Sequence, residues 1–191
     1  MGGKVEAMYA LANMLKHNTN ITYIEIDRVN SENLPVETWS HVFEGGLRYN
    51  NTINYLELTA NCLKEAAVSL ASALSVNSSI THLILAHDTV VDDCVVALAE
   101  ALKINKTLKI LNLFPPTNLT ISQKSFTALC LALEINQTLT SLYFRKGEID
   151  PFRLNSMLLV NKTLNFLYLC DCSINDQQFV TFSPSLTKNK H

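Results

Sequence analysis

Residues 102–113 read Leu-Lys-Ile-Asn-Lys-Thr-Leu-Lys-Ile-Leu-Asn-Leu. The skeleton is Leu102, Asn105, Thr107, Leu108, Leu111 and Leu113, and five more copies of it run along the chain. With the Asn as origin, the anchors are Asn18, Asn50, Asn77, Asn105, Asn136 and Asn161, and Asn189 begins the pattern again. Successive anchors lie 32, 27, 28, 31, 25 and 28 residues apart. A fixed period of this length marks a stack of similar units, each too small to bury its own apolar face.

Each unit changes period at its anchor. Leu15, Leu47, Leu74, Leu102, Leu133 and Leu158 stand three residues before it. Leu11, Phe43, Leu70, Leu98, Leu129 and Leu154 stand four residues earlier again, on the same helical face. After the anchor, apolar residues recur at +3, +6 and +8, as in Leu108, Leu111 and Leu113. The +6/+8 alternation is that of a half-buried strand. The unit is therefore helix, Asn turn, short strand and loop. An Asn is expected to end the helix by bonding nearby backbone and accepting a left-handed conformation.

The pattern L-x-x-N-x-[ST]-[LI]-x-x-L-x-L, with a helix of about ten residues per unit, resembles the ribonuclease-inhibitor-type leucine-rich repeats. The resemblance covers nearly the whole chain. It implies an α/β solenoid curved like a horseshoe, with about six repeats, parallel strands on the concave face and helices on the convex face. The Asn that such repeats carry after the strand is present only as Asn61. Similar repeats serve inhibitors, GTPase-activating proteins, actin-capping proteins, immune receptors and bacterial effectors, so the resemblance implies a fold more sharply than a role.

The expected elements follow from the register. Helices fall at 4–17, 35–49, 63–76, from Asp92-Asp93 onward, 122–135 with Ser122 as N-cap, 151–160 opened by Pro151, and 176–187. Pro184 is expected to kink or shorten the last of these. Loops 27–35 and 114–120 stretch the period.

The chain has 191 residues, of which 48% are hydrophobic and 17% charged, enough for one repeat domain spanning residues 1–191 or for part of a longer protein. A net charge of −2 with no basic stripe disfavours nucleic acid as a partner. No window is apolar enough for a membrane span. Five cysteines, an odd number with no apolar signal segment before them, fit reduced thiols in the cytoplasm. Asn-x-Ser/Thr occurs at Asn20, Asn50, Asn77, Asn105, Asn118, Asn136 and Asn161; five of these are the repeat turn itself, so the sequons are by-products of the fold. Cys170-Asp-Cys172 lacks the further ligands that a metal needs, and His17, His41, His82 and His87 make no spaced pair. No cofactor motif and no nucleophile–base arrangement is legible.

Function is expected at positions +5, +7 and +9, which alternation aims at the concave face. The N-terminal half carries Tyr23, Glu25, Tyr55 and Glu57 there, beside Asp27. The C-terminal half carries Phe114, Tyr143, Arg145, Phe166 and Tyr168, next to Asn112. Aromatics and Arg are the residue types enriched at interface hot spots; the alternative is that the rings merely stack along the sheet. The leading expectation is a non-enzymatic module that binds a protein partner on this face, with a bacterial effector in a host cytosol as one setting. A GTPase regulator using Asn112 and Arg145, and a fragment of an immune-receptor-like protein, are the rivals. Unprotected end repeats also allow end-to-end self-association.

Overall fold

The computed structural model describes residues 2–27, 35–59, 66–86 and 90–188. Asn61, Cys62, His87 and Asn189, the first residues of the helix expected from 63, and loop residues 28–34 lie outside the described residues.

Helices and strands alternate along the chain. The helices are α1 (Gly2–His17), α2 (Val36–His41), α3 (Ala67–Val76), α4 (Asp92–Ile104), α5 (Gln123–Ile135), α6 (Pro151–Val160) and α7 (Asp176–Lys188). The strands are β1 (Tyr23–Ile26), β2 (Tyr55–Leu58), β3 (His82–Ala86), β4 (Ile110–Phe114), β5 (Ser141–Arg145) and β6 (Phe166–Cys170). All six form one parallel sheet in chain order. The register matches equivalent repeat positions: Leu56 pairs with Leu83, Leu83 with Leu111, Leu111 with Leu142, and Leu142 with Leu167. Strands pack about 4.8 Å apart, whereas helices need about 10 Å. The sheet side is therefore the shorter arc, and its outward face is concave. This is the α/β leucine-rich-repeat solenoid that the repeat implied.

The core lies between sheet and helices. Leu58, Leu83, Leu85, Leu111, Leu113 and Phe144 are fully buried from the strand side, as are Leu70, Leu98, Leu129 and Leu154 from the helix side. One apolar cluster runs from Met8 to Phe182. In the first and last strands, Ile24, Ile26, Leu167 and Leu169 are only half-buried, because each lies beside a single neighbouring repeat.

The anchor Asn does more than end a helix, and it does so in a different conformation from the one expected. Asn50, Asn77, Asn105, Asn136 and Asn161 are extended, with ψ between 127° and 135°, not left-handed. The reason lies one repeat away. In Asn136 the Nδ2 donates to the carbonyls of Leu102 (2.8 Å) and Asn105 (3.2 Å) in the preceding unit. Its Oδ1 accepts the backbone N–H groups of Thr138 and Leu139 in its own unit. An extended backbone aims the carboxamide inward to make both sets, and a left-handed one would not. Asn50, Asn77, Asn105 and Asn161 repeat these contacts. The hydroxyls of Thr52, Ser79, Thr107 and Thr138 donate to the preceding anchor's carbonyl as well. These five Asn are buried, so the sequons centred on them are closed to modification in the folded chain.

Two helices depart from expectation. The helix expected to reach Tyr49 passes from α2 into a π-helical turn (Val42–Gly46) and then a 3-10 turn (Leu47–Tyr49). A Cβ on Gly46 would sit 2.6 Å from the Ala12 carbonyl oxygen of α1. That close approach, together with the low helix propensity of Gly45-Gly46, accounts for the irregular winding. Pro184 lies within α7, which runs on to Lys188 without being shortened. The expected cap is present, Ser122 Oγ accepting from Ser125 N, and Pro151 opens α6 as expected; the cap there, which was not expected, is Asp150, whose Oδ1 accepts from the N–H groups of Phe152 and Arg153.

Candidate functional site

Strand alternation places the +5, +7 and +9 side chains on the outward face of the sheet. Register then brings equivalent positions side by side. Tyr23 faces Tyr55, Tyr55 faces His82, and Glu25 faces Glu57. Asn112 lies between Ile84 and Tyr143, and Tyr143 faces Tyr168.

The N-terminal half is an ordered stack. The Tyr23 and Tyr55 rings are 4.4 Å apart and nearly parallel, and His82 continues the stack 5.7 Å from Tyr55. Each Tyr hydroxyl donates to the carboxylate two residues on: Tyr23 to Glu25 and Tyr55 to Glu57, both at 3.0 Å. Partial burial and the hydrogen bond to Glu57 push the Tyr55 hydroxyl up to about 12. The hydrogen bond to Glu25 raises Tyr23 in the same direction. Thr59 Oγ1 donates to Asp27 Oδ1 at 2.5 Å, at the rim of this half. Neither Glu25 nor Glu57 has a cationic partner among the described residues.

The C-terminal half is aromatic. Tyr143 packs against Phe166 at 4.9 Å and Tyr168 at 5.8 Å, in tilted geometry. Phe166 and Tyr168 nevertheless keep 43% of their surface exposed. Stacking and exposure thus coexist here. Phe114 is half-buried beside Ala86 and joins no ring stack among the described residues. Arg145 is already engaged: its Nε and Nη2 donate to Asp171 Oδ2 at 2.9 and 2.8 Å. The hydrogen bond from Arg145 holds the Asp171 carboxyl below the usual carboxylate range. Asn112 sits between the halves, its Oδ1 buried and without a hydrogen-bond partner among the described residues.

The strand-end loops tie this half down. Loop 115–120 ends at Ile121, which bridges Gly147; Ile121 N donates to Lys146 O and Glu148 N to Ile121 O. Lys146 Nζ donates to the Thr117 carbonyl at 2.5 Å. Lys146 and Asp171 both take φ near 52°, the left-handed turn that swings the chain away from the sheet after β5 and β6. A Cβ on Gly147 would overlap the Phe144 ring, so that position needs glycine.

Two features escaped the reading of the residues. Asp171 as the partner of Arg145 is one. The other is a line of exposed apolar side chains one residue before the five anchors from Asn50 to Asn161: Tyr49, Val76, Ile104, Ile135 and Val160, each 51–61% exposed. Aligning that column of the repeat would have revealed it.

The fold and this face define a leucine-rich-repeat-type chain with a two-part concave surface. No protein-family model matches it, and no curated protein matches it in sequence. Among solved structures it is similar to actin-binding site 2 of leiomodin-1, with a TM-score of 0.55 and 21% identity, over 98% of this chain and 87% of that one. It is similar also to the C-terminal domain of Caenorhabditis elegans tropomodulin (TM-score 0.53, 15% identity, 97% of this chain and 92% of that one). Rad7 from yeast, solved in complex with Elc1, gives a TM-score of 0.56 at 14% identity over 95% of this chain and 45% of that one. At identities this low, the TM-scores show a shared fold and nothing more.

Proposed function

We propose that the chain is a non-enzymatic binding module that holds a protein partner on its concave face, with Tyr143, Tyr168, Phe166, Phe114 and Arg145 as anchors. One observation carries the reading. Phe166 and Tyr168 stay 43% exposed although Tyr143 packs against both. A face that only met water would carry polar residues there, and exposed aromatics on a rigid sheet are the chemistry of interface hot spots. Arg145 contributes as a preset ion pair with Asp171, presenting a fixed polar edge to the partner. Tyr23, Glu25, Tyr55 and Glu57 form the second contact area. The four described cysteines are free thiols, which fits a reducing cytosol as the working compartment.

The solved neighbours support protein binding in general, and the leiomodin-1 neighbour is by its own description an actin-binding site. Actin is therefore the first purified protein to try. The test compares capture by the wild type and by Tyr143→Ala/Tyr168→Ala, from a eukaryotic cytosolic lysate and with purified actin. A partner held by the first and lost by the second, at unchanged thermal stability, supports the face. Equal capture by both refutes it. The Asn112 Oδ1, without a hydrogen-bond partner among the described residues, favours one second reading, regulation of a GTPase by a side chain placed near its nucleotide. Unchanged GTP hydrolysis across a GTPase panel would dispose of that.

A further inference from the structure

The two halves of the concave face differ in charge as well as shape. Glu25 and Glu57 are cross-strand neighbours, and like charges so placed repel. Each is steadied on one oxygen by a Tyr hydroxyl, 3.0 Å away, and neither meets a cation among the described residues. Tyr23, at the outer end of the Tyr23–Tyr55–His82 stack beside them, offers an exposed ring face, which attracts a cation too. Three strand intervals along the same row, Tyr143 and Tyr168 present apolar surface, with no acidic residue within β5 or β6.

We infer that the partner segment seated here is a basic–apolar peptide, laid across the strands with Lys or Arg over Glu25 and Glu57 and an aromatic or aliphatic side chain over Tyr143 and Tyr168. This rests on the concave-face reading and adds the partner's chemistry and polarity. The occupant follows from charge complementarity: a cation relieves the carboxylate pair, and an apolar side chain covers the aromatic rings. Spacing follows from the sheet. β2 and β5 lie about 14 Å apart, three intervals of about 4.8 Å, which an extended segment spans in about four residues.

The test pans a random twelve-residue phage-displayed peptide library on the full chain. Enriched peptides are expected to carry Lys or Arg about four residues from an aromatic or Leu. Glu25→Gln/Glu57→Gln and Tyr143→Ala/Tyr168→Ala are each expected to weaken a synthetic copy of an enriched peptide by tenfold or more. Glu25→Lys/Glu57→Lys, panned afresh, is expected to enrich acidic peptides, a gain that misfolding does not produce. Peptides lacking a basic residue, or indifferent to the Glu pair, overturn the inference; if the Tyr pair still weakens them, the concave-face reading stands. Peptides indifferent to both pairs overturn both. Absence of enrichment overturns the inference as well.

Discussion

Replacing Asn136 by Ala removes one rung of the ladder that joins the repeats. Asn136 is fully buried, and its carboxamide donates to Leu102 O and Asn105 O while accepting from Thr138 N and Leu139 N. Alanine leaves the Leu102 carbonyl and two N–H groups without partners, and the Asn105 carbonyl with the Thr138 hydroxyl alone, so four bonds go unmade. Each unmade buried bond costs about 1–3 kcal/mol, so the loss is about 4 kcal/mol even if half the strain relaxes. For a chain of this size that lowers Tm by about 10 °C. Asn18 is the internal control. Its Oδ1 accepts from Asn20 N and Ile21 N, both exposed, and its side chain makes no cross-repeat bond among the described residues; only its backbone carbonyl, which alanine keeps, does. Asn18→Ala should cost about 1 kcal/mol. Urea unfolding followed by far-UV circular dichroism and by fluorescence of Trp39, the one Trp in the sequence, measures both variants and shows whether distant repeats melt together. A loss below about 1 kcal/mol for Asn136→Ala, or equal losses for the two variants, would refute the ladder as the chief link between repeats.

Gly147→Ala should destabilise by about 2 kcal/mol, because its Cβ overlaps the Phe144 ring; in a Phe144→Leu background the added cost should fall, as a double-mutant cycle on thermal melts will show. Asp92 is held below the usual carboxylate range: burial opposes this, but hydrogen bonds donated by Ser125 Oγ, Ser122 N and Ser122 Oγ outweigh it. Its folded pKa is depressed, so its contribution is complete above the unfolded value of about 3.9 and is lost as pH falls through the folded one. Asp92→Asn should therefore flatten the acid limb of stability against pH below about 4, and an unaltered limb would contradict this. Burial pushes the Cys94 thiol up to about 12 and Cys130 in the same direction. Both should resist alkylation in the folded protein while the half-buried Cys170 labels, as peptide mass mapping will report.

The fold was legible because the repeat shows itself twice, in the Leu skeleton and in the change of period at each anchor. Strand register followed from the same alignment: Leu111 pairs with Leu83 and Leu142 as equivalent positions must. The conformation of the Asn was not legible, since its decisive acceptors lie about 30 residues upstream and come close only once the units stack. The π-helical turn before Tyr49 escaped for a similar reason: Gly45-Gly46 announces weakness, but the crowding comes from Ala12 in another helix. At the site, alternation alone placed Tyr143, Phe166 and Tyr168 on the outward face. It left open whether they pack or stay exposed, and they do both. The partner of Arg145 was hidden because Asp171 sits just beyond its own strand, turned by a left-handed backbone that a non-glycine residue rarely signals.

The central claim is that the working surface is the concave sheet. It is tested most directly by photo-crosslinking from the two sides of the solenoid. Tyr143→p-benzoylphenylalanine places a photoreactive group on the concave face, and Val68→p-benzoylphenylalanine places one on the exposed face of α3, where Val68 is 65% exposed. Irradiated in cytosolic lysate, the first is predicted to give one discrete protein adduct, competed away by unlabelled wild type and not by Tyr143→Ala/Tyr168→Ala. The second is predicted to give none. A competed adduct from position 68, with none from position 143, would contradict the account.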